Sequence, residues 1–287
     1  MTSQQEHIDE FESLFRRAER EPFAYAEVPL KSAVIVTDGT RADAHAAADE
    51  LREFAPRLET VANWRLLTGD DYANVAELLR RIDDVQTDLL VTYRHLKEQS
   101  QLPKHTLGAY LDVMTQVMTI PVLVLPGTAR QPKPLTRRTC NRVMVVTDHI
   151  SGDNRLINYG ARLCAAGGTV WLTHIEDDAQ FRRYVDAISR IPEIETEQAR
   201  TLIEQQLLKE AADFIDTCIT RLRADGPDVL YKSVVTRGHH LTQYRRLIEE
   251  HDADLLVANT KDEDQLAMRG MTYSLSVELT DVAMLLL

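Results

Sequence analysis

The sequence predicts an α/β fold of two doubly wound parallel sheets in tandem, with the first copy shortened. Short apolar runs that are typical of buried strands alternate along the chain with stretches of helical periodicity, which is the order found in parallel sheets. The apolar run that ends in Thr37-Asp38 has a second version that ends in Thr147-Asp148, so the chain restarts near its middle. A length of 287 residues also favours two domains over one.

The first domain is predicted to span residues 31–126. Turn-forming residues separate its elements, and its first helix carries a face of alanines that suits close packing on a sheet. The predicted elements are a strand at 33–36, a helix at 41–54, a strand at 64–67, a helix at 72–82, a strand at 88–92, a helix at 103–117 and a strand at 120–126. This domain therefore has four strands.

A stretch rich in proline and basic residues, 127–140, predicts a linker to a second domain at 141–287. Asp38 and Gly69 are 31 residues apart, whereas the matching pair Asp148 and Gly238 are 90 residues apart. The predicted elements are strands at 142–148, 169–174, 229–236, 254–258 and 283–287, with helices at 153–166 and 244–250 and a helical insertion at 178–223. The first domain therefore lacks one strand–helix unit that the second domain has.

Two amphipathic segments lie outside this shared pattern. The N-terminal segment 1–30 is predicted to be helical and to cover the sheet face that the shorter domain leaves open. The later part of the insertion carries apolar residues on one broad helical face, which we expect to pack on the sheet or on a partner. These residues are Leu202, Ile203, Leu207, Leu208, Ala211, Phe214, Ile215, Cys218, Ile219 and Leu222.

Composition excludes several classes of function. The chain has 45 acidic and 33 basic residues, a formal charge of -12, which opposes binding to nucleic acid and to anionic membranes. Its three cysteines have no metal-site spacing, and no apolar run approaches the length of about 18 residues that a membrane span needs. The N-terminus lacks the pattern of a secretory signal. We expect a cytoplasmic protein without membrane insertion.

Several runs resemble the universal stress protein family. The resemblance lies in the run Val34 to Thr40 (VIVTDGT), in the pairs Thr87-Asp88 and Ala253-Asp254 that precede apolar strands, and in the closing strand Ile120 to Val124 (IPVLV). It covers nearly everything after residue 31, although the second closing run lacks the proline. The resemblance implies the adenine nucleotide alpha hydrolase-like arrangement of a doubly wound sheet. It also implies that Asp38, Gly39, Thr40, Gly108 and Asp148 are the residues that would bind a nucleotide.

Nucleotide-binding members of this family carry a Gly-x2-Gly-x9-Gly-Ser/Thr loop, whose backbone N–H groups and hydroxyl reach the phosphates. Neither half keeps it: the first half has only Gly108 followed by Ala109, and the second has a lone Gly270. In the second half Asp262, Glu263 and Asp264 would also repel phosphate. We therefore expect no conventional ATP binding and no cofactor.

Structural interpretations compete for the remaining candidates. Asp38 and Asp148 also fit helix N-caps, and His95 and His105 are expected to face solvent. Gly238-His239-His240 has no third ligand at a set spacing, so we predict no metal site. Nucleophile-elbow, Walker and zinc-protease motifs are missing from the sequence. An enzyme is not expected, although weak ATPase activity stays open.

Three functional hypotheses follow. The first is a non-catalytic tandem universal stress protein that acts in stress response by binding a protein partner or a small molecule. The second is a sensor that binds ATP or AMP through Asp38, Gly39, Thr40 and Gly108 of the first domain. The third is a scaffold or assembly subunit that docks through the helical insertion. A dimer or another self-associated form fits the first and the third.

Overall fold

A computed structural model of the protein describes residues 23–83, 86–98, 106–128, 130–135, 139–147, 154–260 and 270–287. The elements in chain order are β1 (Ser32–Val36), α1 (Arg41–Phe54), a 3-10 turn (Pro56–Thr60), β2 (Asn63–Leu67), α2 (Val75–Asp83), β3 (Leu89–Arg94), α3 (Ala109–Val117), β4 (Val122–Thr128), β5 (Arg142–Val146), α4 (Asn154–Leu163), β6 (Thr169–Asp177), α5 (Asp178–Ile188), α6 (Thr196–Asp225), β7 (Leu230–Gly238), α7 (His240–His251), β8 (Leu255–Ala258), α8 (Gly270–Glu278) and β9 (Ala283–Leu286).

The strands form one continuous sheet in the order β2-β1-β3-β4-β9-β8-β5-β6-β7. Every neighbouring pair is parallel except β4 and β9, which pair antiparallel with Leu123 opposite Leu285. The described part of the first half has four strands and that of the second half has five. The predicted α/β class with a shortened first copy is confirmed, and the structure adds that the two parallel sets join edge to edge.

Helices cover both faces of the sheet, and each face has a core that runs through both halves. One core lies under α1, α4 and α6, and the other lies under α2, α3, α7 and α8. Strands β3, β4, β5 and β8 have buried side chains on both faces, which explains their unbroken apolar sequences. The insertion helix α6 has no counterpart in the first half, which accounts for the shorter first copy.

The N-terminal prediction is wrong where the structure describes it. Residues 23–30 form an irregular extended segment and not a helix, while residues 1–22 lie outside the described residues. Pro29 disfavours helical geometry at the residue before it and lacks an N–H. Phe23 and Leu30 are nonetheless buried in the core under α1 and α4. Arg162 Nε donates to Val28 O at 3.2 Å, so a helix of the second half fixes this segment.

The helical insertion is a hairpin of two helices, α5 and α6, with the turn between them at 189–195 around Pro192. The predicted linker is also shorter than expected, because β4 continues to Thr128 and Cys140 is fully buried. The Gly127 N–H donates to Thr280 O at 2.8 Å, which fastens the start of the linker to the second half.

Asp88 and Asp254 have matching roles at the starts of the two central strands. Asp254 Oδ2 accepts the N–H groups of Asn141 at 3.0 Å and Arg142 at 2.9 Å, just where β5 begins. Asp88 Oδ2 accepts the N–H groups of Lys31 at 2.8 Å and Ser32 at 2.9 Å, where β1 begins. Each aspartate therefore fixes the start of its half's first strand, which gives the sequence pairs at 87–88 and 253–254 a physical meaning.

Arg94, at the end of β3, is 1% exposed and lies where the two halves meet. Its Nε donates to Ser276 O at 2.9 Å, one Nη donates to Leu125 O at 3.3 Å, and the other donates to Leu279 O at 3.1 Å. Ser276 is in the last turn of α8, where carbonyls lack intrahelical donors and a cation is favoured. A single guanidinium thus joins β3 and β4 to the end of α8.

We expect alkaline pH to destabilise the fold through its buried thiols. Burial raises the pKa of Cys164 and of Cys218 to about 12, and that of Cys140 also rises. An unfolded thiol ionises near about 8.5, so between these values the unfolded chain loses protons that the folded chain keeps, and stability falls as pH rises. At pH 9.5 each thiol removes about 1.4 kcal/mol.

Urea unfolding under reducing conditions at pH 7 and pH 9.5 tests this expectation. Cys218→Ala should show a smaller loss of unfolding free energy between the two pH values than the native protein, even if it is less stable at pH 7. Equal losses in the two proteins would contradict the assignment to this thiol.

Candidate functional site

Asp38, Gly39 and Thr40 follow β1 at the carboxyl edge of the sheet. Thr40 is the N-cap of α1: its hydroxyl accepts the Asp43 N–H at 3.3 Å, and Asp43 Oδ2 accepts the Thr40 N–H at 2.7 Å. The Thr40 hydroxyl also donates to Asp43 Oδ2 at 2.8 Å, and this bond, followed by the one from the Thr40 N–H, lowers the pKa of Asp43 below its usual range. Asp38 does not cap the helix, so that interpretation is wrong; its Oδ2 accepts the Lys97 N–H at 2.9 Å. Asp38 therefore binds the loop that follows β3.

The loop after β3 has a backbone that glycine usually supplies. His95 and Lys97 both have positive φ, at 59° and 56°, which costs a residue with a side chain about 1–3 kcal/mol. The loop lies directly above the sheet edge, between Asp38 and the start of α3. A strained backbone of this kind persists only where surrounding contacts hold it in place. Those contacts are made by the side chains of the loop itself.

The Lys97 side chain turns back toward the end of β2. Its ammonium donates to Gly69 O at 2.6 Å and to Tyr72 O, and it lies 4.3 Å from the centroid of the Tyr72 ring. Tyr72 is buried, and its hydroxyl donates to Thr37 O at 3.1 Å. Burial first, and then the Asp38 charge, raises the pKa of Tyr72, which keeps its phenol protonated. A cation of the protein itself thus fills the space between the ends of β1 and β2.

Glu98 lies at the start of α3. Its Oε1 accepts the Ala109 N–H at 2.6 Å, and its Oε2 is 2.7 Å from His95 Nδ1. A carboxylate there is favoured by the positive end of the helix dipole. His95 was expected to face solvent. Instead its ring packs against Glu98, and both side chains are largely buried. The protein's own carboxylate therefore occupies the anion position at this helix N-terminus.

Gly108 is the N-cap of α3 and has a φ of 91°. A Cβ at this position would lie 2.9 Å from Glu98 Oε1 and 2.9 Å from the His95 backbone. The predicted site residues of the first half therefore do meet at one edge of the sheet. Gly108 is packed against the Glu98 side chain and the His95 backbone of the loop.

The structure describes fewer residues at the corresponding edge of the sheet in the second half. Asp148 lies outside the described residues, as do His105 and the acidic run at 262–264. Thr272 and Ser276, which lie on α8, donate within the chain to Asn259 O at 2.8 Å and to Thr272 O at 2.7 Å. Both hydroxyls therefore satisfy backbone carbonyls of their own half.

The adjacent histidines of the second half, His239 and His240, have different positions and contacts. His239 is the N-cap residue of α7, whereas His240 contacts Ile175 O through Nε2 at 2.8 Å and Asp177 through Nδ1 at 3.4 Å. No group of three or more metal-ligating side chains occurs among the residues that the structure describes.

Sequence reasoning missed Lys97, Glu98 and Tyr72. A signal was present, because a lysine and a glutamate directly follow the stretch in which the glycines are lost. A cation and a carboxylate in that place indicate side chains that bond to the backbone groups at this edge of the sheet. The direction of these side chains could not be inferred, because it depends on the positive φ of His95 and Lys97.

The sheet order and the helices on both faces define a doubly wound α/β protein. Residues 139–270 match the model of the universal stress protein family. The family resemblance predicted from the sequence is therefore confirmed for residues 139–270. The tandem arrangement and the predicted domain boundaries stay predictions.

Comparison with curated protein sequences gives no significant match. Among solved structures, a universal stress protein from Archaeoglobus fulgidus DSM 4304 is 12% identical and has a TM-score of 0.47, over 96% of this chain and 88% of that one. A functionally unknown protein from Pseudomonas aeruginosa PAO1 is 15% identical, with a TM-score of 0.47, over 90% of this chain and 92% of that one. No helix in the described ranges has both the length and the hydrophobicity of a membrane span.

Proposed function

We propose that this protein acts in stress response as a non-catalytic binding protein, through a protein partner or a small molecule, and without conventional ATP binding. The observation that carries the proposal is the occupied site of the first half. Lys97 satisfies the carbonyls at the end of β2, and Glu98 satisfies the N-terminus of α3. A phosphate group would meet the Glu98 carboxylate at the place where it needs free N–H donors.

The occupied site also weighs against the sensor hypothesis. A nucleotide that used Asp38 and Gly108 would have to displace the Lys97 amide from Asp38 and the Glu98 carboxylate from Ala109. Both bonds involve a charged group, and such bonds contribute about 1.5–3 kcal/mol each. A ligand that displaces both loses about 3–6 kcal/mol of its binding free energy, which is a factor of more than a hundred in affinity.

We therefore predict that nucleotide-stripped protein, titrated calorimetrically with ATP and with AMP, gives no binding heat up to millimolar nucleotide. Asp38→Ala locates any signal, and Asp70→Ala is its matched control, because Asp70 is an exposed aspartate at the same end of the sheet. Micromolar binding that Asp38→Ala abolishes and Asp70→Ala keeps would establish the sensor instead. Micromolar binding that both variants keep would place a nucleotide in the second half and also contradict the proposal.

A further inference from the structure

The α5–α6 hairpin extends past the carboxyl edge of the sheet. Helix α6 has 30 residues, about 45 Å at 1.5 Å per residue, whereas β7 has 9 residues, about 30 Å. Only the later part of α6 packs on the sheet, where its buried residues are Ala211, Ile215, Cys218, Ile219 and Leu222. The predicted apolar stripe therefore divides: its later part is core, and its earlier part, from Leu202, is not.

Arg237, at the end of β7, anchors the base of the hairpin. Its Nη1 is 2.8 Å from Asp178 Oδ1, its Nε is 2.9 Å from Glu204 Oε1, and its guanidinium carbon lies 4.5 Å from the centroid of the Phe181 ring. Within the described stretch 178–210, Phe181 is the only side chain that is fully buried. Beyond this anchor, the described helices contact each other, and none of their other side chains up to Glu210 is fully buried.

The overhanging part of the hairpin carries an exposed apolar patch, which we call the hairpin patch: Tyr184, Ile191, Ile194 and Leu202. Among the described residues, six large hydrophobic side chains are exposed, and four of them form this patch. Clustering of exposed apolar side chains on one feature indicates an interaction surface, whereas isolated ones are ordinary. Helices draw most of their stability from packing, so the stretch 178–210, with one fully buried side chain, gains from a partner.

The charges of the hairpin indicate which partner fits. Residues 179–191 contain three arginines and one aspartate, whereas residues 192–204 contain four glutamates and one arginine. Arg182, Arg183 and Arg190 are exposed and form no ion pair with any residue that the structure describes. Arg182 and Arg183 lie on α5, whereas Arg190 lies in the turn at the tip with Glu193 and Glu195, and Glu197 is in the first turn of α6. The tip therefore carries more acidic than basic side chains.

We propose that two copies of this chain associate through their hairpins, side by side and antiparallel, to form a four-helix bundle. In that arrangement the acidic tip of one hairpin lies against the basic α5 of the other, and the two-fold axis repeats each contact. The two hairpin patches then cover each other, as the apolar faces of bundle helices do. The pairing does not depend on nucleotide binding, so its failure would leave the closed first site unaffected.

Sedimentation equilibrium of the full-length protein over a range of concentrations tests the pairing. The native chain should be a dimer, and Ile194→Glu combined with Leu202→Glu should weaken the dimer at least tenfold. Both positions are exposed, Leu202 at 56%, so the fold should survive the change. Val117→Glu and Leu230→Glu are matched controls, because these side chains are 63% and 61% exposed elsewhere. A monomeric native chain, or a dimer that Leu230→Glu breaks and the patch variant keeps, overturns the proposal.

Charge reversal distinguishes a second copy from a foreign partner. Arg182→Glu with Arg183→Glu makes one variant, and Glu193→Arg with Glu197→Arg makes the other. Each variant alone should be mostly monomeric because like charges then face each other, while an equimolar mixture should recover a dimer. Failure of the mixture to associate would contradict the antiparallel pairing. Glu195 is left unchanged in this design, since its side chain accepts the Gln198 N–H at 2.7 Å and caps α6.

Discussion

Arg94→Met is expected to lower the free energy of unfolding by about 3 kcal/mol or more, since each of three buried carbonyls left without a donor costs about 1–3 kcal/mol. The side chain donates to three carbonyls, of Leu125, Ser276 and Leu279, and it is almost completely buried. Methionine fills a similar volume but leaves those carbonyls without a donor in a place that water does not reach. Burial lowers the pKa of Arg94 to about 10, with Asp281 acting in the opposite direction, so at neutral pH the site holds a cation.

Urea denaturation at pH 7 measures the loss of unfolding free energy in Arg94→Met, and two further variants serve as comparisons. Arg65→Met makes the same change on edge strand β2, where the side chain is half-buried and makes one bond, to Arg81 O at 2.7 Å. It should cost less than about 1 kcal/mol, the usual contribution of one exposed hydrogen bond. Arg94→Lys keeps the charge but not the planar set of donors, so its loss should fall between the two. Native-like stability of Arg94→Met would show that the three bonds contribute nothing beyond their cost of burial.

The order of helices and strands could be predicted because it depends on local pattern. The apolar runs at 33–36, 89–91 and 255–258 predicted buried strands, and the count from Asp38 to Gly69 predicted that the first half is short. The joining of the two halves could not be predicted. Leu123 and Leu285 belong to apolar runs that could pair with any buried strand. Neither run therefore indicates that β4 pairs antiparallel with β9.

The sequence predicted that Asp38 and Gly108 lie at one edge of the sheet, but it did not predict which side chains lie between them. Asp38 and Gly108 come together because parallel strands bring their carboxyl ends to one edge. Whether that edge is open depends on where Lys97 and Glu98 point, and this follows from the loop conformation. The insertion shows the same limit, since helical periodicity gave Leu202 and Leu222 one face but could not show that the sheet ends between them.

Asp254→Ala is expected to cost about 3 kcal/mol, roughly two charge-assisted hydrogen bonds to backbone N–H groups. Asp254 is 1% exposed, so the N–H groups of Asn141 and Arg142 would lose this acceptor where little water enters. Asp88→Ala is the matched control, because Asp88 makes the same type of contact at the start of β1 but is partly exposed. Water replaces its carboxylate, so a loss of about 1–2 kcal/mol is expected there.

The pH dependence of the unfolding free energy shows whether the charge or the shape of the Asp88 side chain fixes the start of β1. Burial acts against ionisation of Asp88, but its bonds to Lys31 and Ser32 outweigh that and lower its pKa. Its contribution is therefore complete above about pH 4, the unfolded value, and is lost as pH falls through the lower folded value. Unfolding free energies of the native protein and of Asp88→Asn, measured by urea at pH 7 and pH 3, should converge at the lower pH. A difference that stays constant would mean that the shape of the side chain, and not its charge, fixes the start of β1.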